Sequence, residues 1–539
     1  MPNNIRIALA QLNLHVGDIK SNLDKHIRAA LTARDQFAAD VIVFPELSLT
    51  GYPPEDLLLR RSFVSESNQA LQYLTGEIND IYCLVGHPYS DGQNLYNTCS
   101  LIHNGKTIGR YSKQRLPNHG VFDECRYFTP GQSSCIVKIK DIAAGLVICE
   151  DLWKLGPVRD AAAQEAQIIL SPNASPFEVD KHEQRLSVLH KRANHNNLPI
   201  VYVNQVCGQD ELVFDGGSMV INRNGDLCKF AGFFNETILP VDIDMDRTPE
   251  IKAENINIAS TEERTYQALV LGVRDYINKN HFPGAIVGVS GGIDSALTLA
   301  IAVDALGKDR VKAILMPSRY TADISNIDAI ELARNLGVTC ETIPIEPVYN
   351  TFLESLAPSF TGRKPDITEE NIQARCRAVI LMALSNKYGH LVLTTGNRSE
   401  IAVGYCTLYG DMAGGFAVLK DIPKTLVYKL ANYRNRVHHV IPQRTIERAP
   451  TAELAPNQKD EDSLPAYPVL DSILECYLND GQTIDEIVRQ GFQRDVVVKV
   501  VNLIHKNEYK RKQAAMGPRI NHKSFVRDWR YPVTNGFKG

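Results

Sequence analysis

Three short segments of the 539-residue chain carry side chains that together can cleave an amide. Glu46 in Phe44-Pro-Glu-Leu, Lys113 in Lys-Gln-Arg-Leu-Pro and Cys149 in Ile148-Cys-Glu-Asp-Leu-Trp153 each stand at the end of a strand-like run. Their side chains can therefore converge at one edge of a sheet. There Glu46 would take the Cys149 proton and return it to departing ammonia, while Lys113 stabilises negative charge on the tetrahedral oxygen. Neither histidine nor metal is needed. A free cysteine, with a pKa of about 8.5, is only a few per cent thiolate at neutral pH, and a nearby Lys113 is expected to favour the ion. Taken singly, the three have plainer readings: Cys149 as a packed core thiol, Glu46 and Lys113 as surface charges.

A second constellation lies at Gly288-Val289-Ser290-Gly291-Gly292-Ile293-Asp294-Ser295, where an apolar strand passes into a helix. Backbone N–H groups and the positive end of the helix dipole meet there, which suits an anion. Gly291 and Gly292 permit close approach to a phosphate, Ser290 and Ser295 supply hydroxyls, and Asp294 can hold a magnesium ion bridging phosphate oxygens. The pattern is neither G-x-x-x-x-G-K-[ST] nor G-x-G-x-x-G, which weakens a kinase-like site and a dinucleotide Rossmann site alike. Downstream, Thr394-Thr-Gly-Asn-Arg-Ser-Glu400 again follows a strand and brings a carboxylate to the sheet edge where open α/β folds bind ligands. Glu400 is the second candidate magnesium ligand. Its alternative is a cap or salt bridge in the first turn of the following helix.

Positioning these groups requires two α/β units. Runs at 5–12, 41–47, 81–88, 99–103, 135–140, 145–149, 167–170 and 200–204 are short, apolar or β-branched and bounded by turn residues, with helical patterns between several of them. Near 240–262 a polar, acidic stretch without sustained periodicity is expected to be a linker, with the boundary near residue 250. After it, Thr261, Glu263 and Arg264 open a helix with Leu269, Val273, Tyr276 and Ile277 at helical spacing. Strand, glycine turn, helix and strand then follow through 317, with a helix around 325–336, an order that implies a parallel sheet. HLVLTTG at 390–396 adds a strand, and the C-terminal third reads as mostly helical.

Composition narrows the partners. With 44% hydrophobic and 22% charged residues, a net charge of −4 and a pI near 6.4, the chain reads as globular with a small-molecule substrate, and its scattered Lys and Arg residues give no reason to expect nucleic acid. No apolar run approaches the roughly 20 residues that span a bilayer, and the N-terminus becomes strand-like at once without a signal pattern, so a cytoplasmic protein without membrane contact is expected. Eleven cysteines, an odd number without a C-x-x-C pair or Cys/His cluster, argue against a disulfide framework and a structural zinc.

Beyond residue chemistry, the loop at 288–295 resembles the SGGxDS pyrophosphate loop of the N-type ATP pyrophosphatases, which adenylate a substrate. MPSRYT, EENIQARCRA, TTGNRSEIAVGYCTLYGDMAGG, KDIPKTLVYKLA and ELAPNQKDEDSLPAYPVLD closely resemble the synthetase domain of the glutamine-dependent NAD synthetases, over about 263–515. Glu46, Lys113 and Cys149 in this order resemble the triad of the nitrilase or carbon-nitrogen hydrolase family, over about 4–245. The resemblance implies an α/β chain: an N-terminal nitrilase-like α-β-β-α sandwich domain at 1–245 acting as glutaminase, a linker at 246–262, and a C-terminal Rossmann-like parallel-sheet ATP pyrophosphatase domain at 263–539.

It also implies a ligase reaction. ATP adenylates the pyridine carboxylate of deamido-NAD (nicotinic acid adenine dinucleotide). Ammonia released from L-glutamine, and channelled to the synthetase site, then displaces AMP. The implied site residues are Glu124 beside the triad; His119, Ser175 and Lys181 as glutamine contacts, His119 standing where the family frequently has tyrosine; 288–295 and Thr395 as ATP contacts, with Lys424 facing phosphates; and Asn371, Glu400 and Lys510 as deamido-NAD contacts. ATP would serve as co-substrate with Mg2+, without a permanently bound cofactor, in a homo-oligomer, a dimer or octamer. Two other readings remain: an amidotransferase acting on another carboxylate or a purine, whose families lack the GYCTLYGDMAGG block, and a catalytically silent nucleotide-binding regulator, against which the intact candidate residues count.

Overall fold

Alternation along Asn4–Gln11 organises the first unit: Ile5, Ile7 and Leu9 pack on one side of the strand and Ala8 and Ala10 on the other, all buried. A strand covered on both faces requires a layer on each. The computed structural model, which describes residues 4–244, 256–456, 458–525 and 527–536, forms two units, Met1–Ala259 and Ser260–Gly539.

In the first unit one six-stranded sheet runs in the order Thr237–Asp244, Asn4–Gln11, Val41–Val43, Tyr82–Ser90, Leu95–His103, Lys106–Ser112. A second runs Leu227–Phe230, Met219–Ile221, Ile200–Asn204, Ile168–Asn173, Ile142–Leu146, Cys135–Ile139. Each has three parallel strands at its centre and antiparallel strands outside. Ile7, Val43 and Leu84 of the first sheet meet Leu146, Ile168 and Val201 of the second in one core. Helices Ile19–Asp35 and Arg61–Glu77 cover the outside of the first sheet, and Pro157–Ala163 and Lys181–Asn196 that of the second. The result is the expected α-β-β-α sandwich.

The polar stretch expected to begin a linker near 240 is still strand through Asp244, where Val241 and Ile243 face the core and Asp242 and Asp244 face solvent. Period-two alternation was present, hidden by its acidic outer face. Residues 246–255 of the expected linker lie outside the described residues. Its last residues belong to the helix Thr261–Lys279, which Ser260 caps by accepting the Glu263 N–H.

The second unit carries a five-stranded, all-parallel sheet in the order Thr339–Thr342, Val311–Leu315, Ala285–Val289, Leu391–Thr394, Phe416–Ala417. In chain order this is 3-2-1-4-5, so the order reverses between Ala285–Val289 and Leu391–Thr394, where ligands bind in such folds. The segments following those two strands are the glycine loop and the Thr394–Glu400 turn. A helical cluster built around Tyr467–Leu474 and Arg494–Lys506 packs against the short helix Arg398–Val403.

Two candidate active sites

In the first unit the three expected side chains come together beyond strand ends, Glu46 and Cys149 after central strands and Lys113 after the edge strand of the first sheet. Glu46 lies three residues past Val41–Val43 and is followed by Leu47 at φ +46°. Gly86 makes this turn possible, because a Cβ there would fall 2.5 Å from both Pro45 O and Leu47 N. Cys149 follows Ile142–Leu146 at φ +44°, ψ −96°, and opens the short helix Glu150–Trp153. Lys113 directly follows Lys106–Ser112.

The Lys113 ammonium, 1% exposed, donates to Glu46 Oε1 at 2.7 Å and Glu124 Oε1 at 2.8 Å. Asn97 Nδ2 also donates to Glu46 Oε1 at 2.7 Å, Ala174 N to Glu46 Oε2 at 3.1 Å, and the Tyr52 hydroxyl to Glu124 Oε1 at 2.8 Å. Burial alone would lower the Lys113 pKa, but Glu124, Glu46 and Cys149 outweigh it and keep the ammonium charged. Burial pushes Glu124 up to about 7 against the pull of Lys113, with Glu46 adding to the rise. Glu124 Oε2 is buried without a hydrogen-bond partner.

The expected thiolate is corrected. Burial, reinforced by the Glu46 charge, pushes the Cys149 thiol well above the ordinary range, and Lys113 and the Ala174 N–H pull it back by less. Burial therefore favours the thiol over the thiolate at Cys149. Asp151, invisible in sequence, sits two residues on and accepts from Ile148 N (3.0 Å), Gln114 N (3.2 Å), Arg115 N (2.8 Å) and the Tyr111 hydroxyl (2.8 Å). One buried carboxylate thus ties the cysteine's turn to the lysine's segment.

The glutamine candidates are placed differently. Ser175 is buried next to Ala174, its N–H donating to Asn204 Oδ1 (2.8 Å) and its hydroxyl accepting from Arg185 Nε (3.1 Å). Arg185 is itself fully buried against Asp215, at 2.8 Å. Lys181 is half-buried, 3.8 Å from Glu178 and above the Trp153 ring. His119 is exposed and stands edge-on to Phe122, which lines a small pocket shared with Tyr52 and Glu124.

In the second unit the residues Gly288–Ser295, Thr395, Glu400 and Lys424 all line one cavity of about 300 Å³. Gly291 has φ +80°, and a Cβ there would fall 2.3 Å from Ser325 O. The Ser290 hydroxyl accepts from Gly292 N at 3.3 Å and meets the Ser295 hydroxyl at 3.2 Å, so the loop is folded by its own serines. Lys424, 1% exposed, donates to Asp294 Oδ2 and, at 3.1 Å, to Glu400 Oε1. Asn397 Nδ2 donates to Asp294 Oδ1 at 2.9 Å, while Asn397 and Glu400 form a capping box. The cap expected as an alternative for Glu400 therefore coexists with its place in the cavity. Burial raises Glu400 to about 7 against Lys424, with Asp294 adding to the rise.

Asn371 and Lys510 are not among the cavity-lining residues. Asn371 Oδ1 accepts from the Thr407 hydroxyl (2.8 Å), and Lys510 donates to the Gly404 and Cys406 carbonyls (2.8 and 2.7 Å), so both hold the 404–407 segment. Sequence reasoning missed Arg377, Arg448 and Asp460 in the cavity wall and Tyr467 beside Glu400. Asn397 had a readable signal, the N-x-x-E capping pattern; the others depend on tertiary approach.

Among the described residues no group of three or more His, Cys, Asp or Glu side chains forms a metal cage. The pair Asp294 and Glu400 nevertheless fits Mg2+, which takes one or two protein carboxylates and fills its remaining positions with phosphate and water oxygens. Here the Lys424 ammonium balances the same two carboxylates.

Two domain families match the chain: carbon-nitrogen hydrolase over residues 6–253 and NAD synthase over residues 265–514. A glutamine-dependent NAD(+) synthetase of Acinetobacter baylyi is 47% identical over 99% of both chains. The structure of glutamine-dependent NAD+ synthetase from Acinetobacter baumannii, in complex with adenosine diphosphate, aligns with TM-score 0.81 at 45% identity over 99% of both chains. That of the Cytophaga hutchinsonii protein of the same name aligns with TM-score 0.85 at 23% identity, over 99% of this chain and 98% of that one, and speaks for the fold alone. A hydrolase half with a buried Glu-Lys-Cys cluster and a synthase half with a phosphate-loop cavity thus occur in one chain, which belongs to the glutamine-dependent NAD(+) synthetase family.

Proposed function

We propose that this chain is a ligase that converts deamido-NAD to NAD with ATP and glutamine, using a glutaminase domain at 1–245 and a synthetase domain at 263–539 joined by a linker at 246–262. The observation that carries the reading is the presence in one chain of a cysteine within electrostatic reach of a Lys113-bridged carboxylate pair and a glycine loop that shares a cavity with a Lys424-bridged pair. Amide synthesis needs both a nitrogen source and an activated carboxylate.

In the first step Glu46 accepts the Cys149 proton as the sulfur attacks the glutamine amide carbon, and Lys113 faces the oxyanion. Collapse breaks the C–N bond, the proton leaves with ammonia, and water hydrolyses the thioester to glutamate. Glu124, with an unpartnered buried oxygen, accepts an N–H of the amide; His119, Ser175 and Lys181 hold the amino-acid end of glutamine. In the synthetase step a carboxylate oxygen of deamido-NAD attacks the α-phosphorus of ATP and pyrophosphate leaves. Ammonia then attacks the carbonyl carbon, loses a proton and expels AMP. The 288–295 loop and Thr395 hold the phosphates, Lys424 pairs with them, and Asn371, Glu400 and Lys510 serve the dinucleotide side. When bound by Asp294 and Glu400, Mg2+ supplies charge neutralisation at the phosphate oxygens. Ammonia passes between the sites through protein, unprotonated. Cytoplasmic location and a homo-oligomer of two or eight copies complete the proposal.

The test supplies ATP, magnesium, deamido-NAD and either glutamine or ammonium, and measures NAD. Cys149→Ala should lose the glutamine-driven reaction by about 10⁴-fold or more and keep the ammonium-driven one. Equal loss of both refutes separate sites.

A further inference from the structure

The chain beyond residue 514, where the NAD synthase match ends, runs back to the last strand of the parallel sheet and the turn that precedes Lys424. Met516 O accepts from Ala417 N at 2.7 Å and Ala515 O from the Lys420 ammonium at 2.7 Å. Gly517 lies so close to the strand end that a Cβ would fall 2.0 Å from Ala417 O. Next, Ile520 N and Asn521 N both donate to Asp421 Oδ2, at 2.8 and 2.7 Å, and the Asn521 side-chain amide donates to the Asp421 carbonyl. The other oxygen, Asp421 Oδ1, accepts from Arg398 Nη1 at 2.6 Å. Asp421 and Arg398 are 2% and 3% exposed.

The positions of these two residues in the chain give the contacts their meaning. Arg398 stands between Asn397, which holds Asp294, and Glu400; its own N–H donates to Ile422 O at 2.9 Å. Asp421 stands three residues before Lys424. Each oxygen of this buried carboxylate is therefore committed to a different side, one to the turn that presents Glu400, the other to the C-terminal segment. Charge-assisted hydrogen bonds to a buried carboxylate are strong and directional. Without the two N–H donors of the segment the carboxylate would be free to pivot, and Arg398 and the chain leading to Lys424 would shift with it.

We propose that residues 515–521 form a clasp, with Asp421 as positioning residue, that sets Glu400 and Lys424 for adenylation. The clasp rests on the reading of Asp294, Glu400 and Lys424 as the adenylation site. Asp421→Asn keeps the shape of the side chain but offers an NH2 where both partners are donors, so one side must break. In the full-length protein with ammonium as nitrogen source, kcat for NAD formation should fall about 10- to 100-fold, while the KM for ATP moves by less than about threefold and glutamine hydrolysis is unchanged. Gly517→Ala, which leaves Asp421 in place and pushes the segment off Ala417, should show the same split; if Asp421→Asn does not fold, it decides alone. Parent kcat in Gly517→Ala, or a lower melting temperature with normal kcat below it, overturns the clasp. A parent protein that makes no NAD from ammonium overturns the adenylation reading, and the clasp with it.

Discussion

Lys113 and Lys424 are the same device in two settings. Each is a buried ammonium bridging two carboxylates, and in each trio one carboxyl is pushed up to about 7 by burial. They differ in closure: Glu46 and Glu124 are 0% and 6% exposed at the side chain, Asp294 and Glu400 18% and 17%, facing a cavity of about 300 Å³. The more enclosed trio is set to hold its charges fixed, as the proposed proton transfer between sulfur and carboxylate requires. An open trio can exchange its internal cation for one that arrives with the phosphates. The difference teaches that a lysine-bridged carboxylate pair does not define a chemistry; access does.

The strongest test of that contrast removes Asp294. Asp294→Ala should lower NAD formation from either nitrogen source by about 10³-fold and leave glutamine hydrolysis running. Normal NAD production would remove the assignment of the open trio. Next, Lys113→Met leaves two buried carboxylates without a cation and should destabilise its unit by about 3–5 kcal/mol, with magnesium giving no relief. Lys424→Met should cost less, and millimolar magnesium should restore its melting temperature; equal behaviour of the two would erase the distinction.

A smaller effect separates the units by pH. His26 is fully buried, and burial lowers its pKa to about 4, against the Asn22 carbonyl. A folded pKa below the unfolded one means that acid favours the unfolded chain, so the contribution is complete above about pH 6.5 and disappears as pH falls toward 4. His26→Gln should remove about 2 kcal/mol of the stability loss between roughly pH 7 and 5, read as a shallower pH dependence of melting. An unchanged slope rejects the assignment.

The parts of the molecule legible in sequence are those where one strand or one turn decides the outcome. Apolar runs such as Val41–Val43 and Ala285–Val289 announce themselves, and so do Glu46, Lys113 and Cys149 at strand ends. The short strands Val206–Gln209, Leu212–Asp215, Met219–Ile221 and Leu227–Phe230 went unread because three or four residues carry too little periodicity. Thr237–Asp244 was obscured by its outward aspartates. Asp151, Asp421 and Arg398 were invisible for another reason. A buried carboxylate takes its role from donors brought in by distant segments, and a single Asp or Arg carries no mark of that.

Cys149 occupies a backbone conformation that a β-carbon disfavours, at φ +44° and ψ −96°. A side chain stands there against the local preference for none. Replacing it with glycine should therefore yield a protein without glutamine-driven activity that is more stable than Cys149→Ala by about 1 kcal/mol or more, read from denaturant unfolding. In that case the kink at residue 149 is held by the surrounding sheet, and would persist in a descendant that had lost the cysteine.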